Sequence, residues 1–77
     1  MAIIRDLKLR VLEKESQHSD TDATYSIFHE ADGNKALQID TYGSENRRFP
    51  GKVSQSIRFS PSGLKQLRRI LREHFED

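Results

Sequence analysis

The spacing of apolar residues changes once in this 77-residue chain, and the change falls at Ser60-Pro61. Before that point Val53, Gln55, Ile57 and Phe59 share one side of an alternating run, with Ser54, Ser56 and Arg58 on the other. That is the period of a sheet strand. After it, Leu64, Leu67, Ile70, Leu71 and Phe75 recur every three or four residues, as on an amphipathic helix. Ser60 suits an N-cap, and Pro61 suits the first helical position, where no N–H donor is needed. A strand over 53–59 therefore runs straight into a helix over 61–75, about 22 Å long at 1.5 Å per residue.

Upstream the pattern is strand-like throughout. Leu7, Leu9 and Val11 alternate with Lys8 and Arg10, which predicts a first strand over about 3–12. The polar run Glu15–Ala23 reads as a loop. Thr24–Glu30 and Lys35–Tyr42 read as two strands joined at Asp32-Gly33-Asn34, whose Gly and Asn tolerate the positive φ of a tight hairpin turn. Gly43–Lys52, punctuated by Pro50-Gly51, connects to the last strand. The expected fold class is α+β: one domain over 1–77, four antiparallel strands and a C-terminal helix, in the order ββββα.

A chain this short buries only about 60–65% of the surface it exposes when unfolded, so its core is thin. Small domains offset this with disulfides, metals or partner subunits. There are no cysteines, which removes disulfides and thiolate metal sites, and His18, His29 and His74 lack metal-ligand spacing. A homodimer is the expected remedy. The helix stripe of Leu64, Leu67, Ile70, Leu71 and Phe75 is wide enough to serve both its own sheet and a second copy.

No run approaches the roughly 18–20 apolar residues of a membrane span. The charged N-terminus does not read as a signal peptide, and a cytoplasmic location is expected. Catalysis is not expected. His29 and Glu30 are adjacent, so on a strand they point to opposite faces, and no Gly-rich phosphate loop, nucleophile elbow or metal motif is present. No cofactor, small-molecule substrate or membrane partner is expected.

The charge is sorted along the chain. Its net value is +1, yet residues 13–45 carry eight acids and two bases, whereas 46–72 carry eight bases and no acid. A basic half of this kind attracts phosphates even when the total charge is nearly neutral.

From the third strand to the helix the chain resembles the single-stranded-DNA-binding domain of the positive-cofactor-four transcriptional coactivators. The residues that carry the likeness are Leu37-Gln38-Ile39-Asp40-Thr41-Tyr42, then Pro50-Gly51-Lys52. Ser56-Ile57-Arg58-Phe59 and Ser60-Pro61-Ser62-Gly63-Leu64-Lys65-Gln66-Leu67 follow, so roughly half the chain is covered. Leu64 stands where a Trp is typical. The resemblance implies a curved four-stranded antiparallel sheet plus one helix, paired as a two-fold dimer that holds unpaired DNA along its sheet faces. It implies a backbone-contacting role for Lys52 and the basic residues just before Pro50, with Tyr42 as a base-stacking group.

The residues themselves support such chemistry. Single strands are held without sequence reading by a basic track with aromatic platforms, each stacked base contributing about 1–3 kcal/mol. Arg47, Arg48 and Lys52 offer charge, Phe49 a π face and Gly51 close backbone approach. Arg58, Lys8 and Arg10 would extend the track across the wet face of the sheet. The plainer alternative is that Phe49 tucks into the edge of the core while the arginines are simply solvated. Arg68, Arg69 and Arg72 on the helix read first as a solvated face that complements the helix dipole. Tyr25 shares a face with Ile27, and Phe28 shares the opposite one with Glu30, so one of the two aromatics must lie outside a single sheet. The second functional reading is a homodimeric protein–protein module that binds no nucleic acid.

Overall fold

The structure, a computed structural model, describes residues 1–43 and 52–76. Four strands and one helix follow in chain order: β1 (Ala2–Ile4), β2 (Asp22–His29), β3 (Lys35–Tyr42), β4 (Gln55–Phe59) and α1 (Pro61–Phe75). They form one four-stranded sheet in the order β1-β4-β3-β2.

The β2–β3 hairpin is closed by the turn chemistry that the sequence announces. Gly33 takes φ 87°, a conformation open to glycine and strained for most other residues. The Asp32 carboxylate accepts from both the backbone N–H and the side-chain amide of Asn34, each at 3.0 Å. Glu30 N–H donates to the Asn34 carbonyl at 2.7 Å, and from there eight residue pairs run unbroken from His29–Lys35 to Asp22–Tyr42.

Because β3 pairs with β4 through Leu37–Phe59 and Ile39–Ile57, alternation puts Leu37, Ile39, Ile57 and Phe59 on one face. The register with β2 and β1 adds Tyr25, Ile27 and Ile4 to it. The helix packs on β3 and β4. Phe59 is only 9% exposed, whereas Tyr25 and Ile27 on β2 remain 73% and 57% exposed. Along α1, Leu64, Leu67 and Ile70 are half-buried and Leu71 and Phe75 are exposed. The helix thus covers only part of the apolar face.

Two expectations change. The sheet is mixed rather than fully antiparallel, because β1 lies parallel to β4, Ala2 to Ile4 against Ile57 to Phe59. No tight turn ties β1 to β2, and the long connection over residues 5–21 gives a parallel crossover the length it needs. The first strand is also shorter than the predicted 3–12, ending at Ile4. Its ladder stops because the helix start captures its carbonyls. Ser60 N–H and Oγ donate to the Ile4 carbonyl at 3.0 and 3.1 Å, while Ser62 Oγ and Gln66 Nε2 each reach the Arg5 carbonyl at 3.2 Å. Ser60 Oγ in turn accepts from Gly63 N–H at 3.1 Å, the expected N-cap bond. Smaller shifts move β2 to 22–29 and the start of β4 to Gln55, while β3 and α1 have the predicted bounds.

Candidate nucleic-acid interface

The face of the sheet opposite the helix is polar, and its side chains are joined in a row. Arg58 donates through Nε and Nη2 to Gln38 Oε1 at 3.1 and 2.8 Å. The same amide passes its Nε2 to the Asp40 carboxylate at 3.1 and 3.2 Å, and Ser56 Oγ donates to Asp40 Oδ1 at 2.6 Å. These four side chains alternate on β3 and β4 and meet because Gln38 pairs with Arg58 and Asp40 with Ser56 in the register. Charge-assisted bonds of this kind are the stronger ones, and they hold Arg58 in a set geometry.

Arg58 also spans the sheet. Its guanidinium carbon lies 4.3 Å from the centroid of the Phe28 ring on β2, a cation–π contact. The register puts Ala36, the partner of Phe28 on the intervening strand, under this span, and Ala36 is 1% exposed. Gln38 takes two of the Arg58 donor groups, and Nη1 has no hydrogen-bond partner among the described residues. No carboxylate pairs directly with the guanidinium among the described residues; Lys8 and Asp6, at 3.9 Å, form an ion pair elsewhere.

Tyr42 lies on the same face, half-buried at the far end of β3. Its hydroxyl meets Thr24 Oγ1 at 2.9 Å, which lays the phenol toward β2. Phe28 is 37% exposed beneath Arg58. Of the two aromatics that the sequence left unassigned, Phe28 is therefore on the polar face and Tyr25 on the apolar one.

Among the sequence-predicted site residues, the structure brings Arg58 and Tyr42 onto one face. Lys8 and Arg10 stand in the exposed segment after β1, off the strands. Lys52 is exposed ahead of β4. The predictions for Arg47, Arg48 and Phe49, with Pro50 and Gly51, lie outside the described residues. The sequence left Phe28 and Tyr25 as alternatives for the outer aromatic, and it gave Gln38 and Ser56 no site role. The parity of Phe28 relative to Tyr25 was its only signal, and parity alone does not say which face the helix covers. No group of His, Asp or Glu side chains among the described residues is arranged to hold a metal ion, and no helix among them is long and apolar enough to cross a membrane.

Compared with known proteins, the chain matches no family model, no curated protein and no solved structure.

Proposed function

We propose that the chain is a non-enzymatic, sequence-tolerant binder of single-stranded nucleic acid that acts as a cytoplasmic homodimer in transcription or replication. The observation that carries this reading is Arg58 stacked on Phe28, with Nη1 unbonded among the described residues, on a sheet face that also bears Tyr42. Such a face offers phosphate a fixed cation and offers bases an aromatic surface. The basic run 46–72, which includes Arg47, Arg48 and Lys52 with Phe49 among them, supplies further cations and an aromatic for such a track. The likeness to the positive-cofactor-four domains points the same way. Asp40 opposes anion binding from within the row, which favours a weak complex.

Fluorescence anisotropy with a labelled mixed-sequence oligonucleotide, single-stranded and duplex, tests this across a salt series. Neutralising four to six phosphates gives a log affinity that falls with log salt at a slope of about −3 to −4. Arg58→Ala weakens binding and shallows the slope, the Arg47→Ala/Arg48→Ala pair does so further, and Asp40→Asn tightens binding. Folded protein that binds neither form would overturn the reading.

The second reading, a protein–protein module, is favoured by the bare edge of β2, all of whose residues are exposed. It predicts a folded protein that binds neither single-stranded nor duplex oligonucleotide.

A further inference from the structure

Lys8–Leu12 has the pattern of a strand but no sheet, and β2 is a sheet edge with no neighbour. In the first, Leu9 and Val11 alternate with Lys8 and Arg10, and no Gly or Pro interrupts them. Leu9, Val11 and Leu12 are 94%, 83% and 61% exposed, and among the described residues the backbone of Lys8–Leu12 makes no hydrogen bond. Just before this segment, Leu7 N–H donates to Gln66 Oε1 on the helix at 2.9 Å, which fixes where the segment departs.

The edge of β2 lacks the usual protection. It pairs with β3 for eight residues without a bulge and contains no Lys or Pro. The Glu30 N–H bond to Asn34 marks that pair as a hydrogen-bonded one. By alternation Phe28, Ser26 and Thr24 turn their backbone groups toward β3, whereas Ala23, Tyr25, Ile27 and His29 turn theirs outward. An extended segment laid along this edge finds a row of open donors and acceptors.

The segment cannot easily serve its own chain. β1 and β2 are at opposite edges, three strand spacings or about 14 Å apart. Crossing that width from Leu7 would consume about four extended residues, most of the segment.

We propose that Lys8–Leu12 of one copy adds to the β2 edge of a second copy, reciprocally, forming a strand-exchanged homodimer. With its apolar side toward the apolar face, Leu9 and Val11 join Tyr25 and Ile27, and Lys8 and Arg10 fall on the face of Arg58. Charge selects this partner. The β2 strand and its flanks carry Asp20, Asp22, Glu30 and Asp32, so two β2 edges would set acid against acid, whereas the donor segment brings two bases.

Sedimentation velocity, without nucleic acid, tests the exchange apart from the binding function. Wild-type protein sediments as a dimer at concentrations well above micromolar. The donor variant Leu9→Asp/Val11→Asp sediments as a monomer that keeps its helical circular dichroism. The acceptor variant Tyr25→Pro also becomes a monomer, because the residue's N–H faces outward, where an edge strand tolerates proline. Ile27→Lys is the second acceptor variant should proline disturb the hairpin. An equimolar mixture of donor and acceptor variants regains a dimer through the one exchange left intact. A monomeric wild type, a donor variant that stays dimeric, or folded variants that fail to complement would each overturn the proposal.

Discussion

Gly63 shows how a single missing side chain joins the helix to the sheet. A Cβ at this position would stand 2.3 Å from the Ile4 carbonyl oxygen and 3.1 Å from its carbon, both backbone atoms. In an isolated helix, Gly to Ala gains about 1 kcal/mol. Here the added methyl would push β1 off the helix start and strain the bonds that Ser60 makes to Ile4. Gly63→Ala should therefore lower stability by about 1–3 kcal/mol in urea unfolding, the usual cost of overpacking. A stabilised variant would mean that β1 yields freely. Arg58 acts at the same scale. Its place over Phe28 depends on the Gln38 amide, which points its oxygen to Arg58 and its nitrogen to Asp40.

At the scale of elements, the β2–β3 hairpin is the most self-contained unit, and its turn is pH-sensitive. The backbone N–H and then the side-chain amide of Asn34 hold the Asp32 carboxyl below its ordinary value of 3.8. A carboxyl whose folded pKa is depressed contributes its stability above the unfolded value, and that contribution is lost as pH falls through the folded one. The Asn34 amide signals in NMR should therefore titrate with a midpoint below 3.8, and the hairpin should loosen over that acidic window. A midpoint at or above the ordinary value would mean that the turn bonds do not favour the carboxylate. The helix is held differently. Its cap and β1 contacts anchor the N-terminal end, while Leu71 and Phe75 toward its C-terminus stay exposed.

The whole molecule is a slab of 39 × 38 × 24 Å with a radius of gyration of 14.8 Å. A compact 77-residue domain has about 11.5 Å. Ala36 and Phe59 are the only buried apolar residues among those described. With so little interior, folding and association are expected to be linked. The Tm should rise by several degrees across about a hundredfold increase in protein concentration, since mass action stabilises an associated native state. A Tm that does not move would mean that the single chain is stable by its own contacts.

What the sequence determined by itself is local. The Asp32-Gly33-Asn34 turn, the bounds of β3 and the Ser60-Pro61 helix start follow from backbone preferences and side-chain bonds between near neighbours in the chain. The polar and apolar parities of β3 and β4 were equally legible, and with them Arg58 and Tyr42 on one face. Tertiary structure decided the rest. The alternation in Leu7–Val11 shows a strand's pattern but not a strand's partner, so β1 ends where Ser60, Ser62 and Gln66 take up the carbonyls of Ile4 and Arg5. Strand order, the parallel pairing of β1 with β4 and the side of the sheet that the helix covers are choices between distant segments. These assign Phe28 to Arg58 and leave Tyr25 at an open edge. No pattern within one strand encodes them, because each depends on which free carbonyl, edge or face another part of the chain reaches.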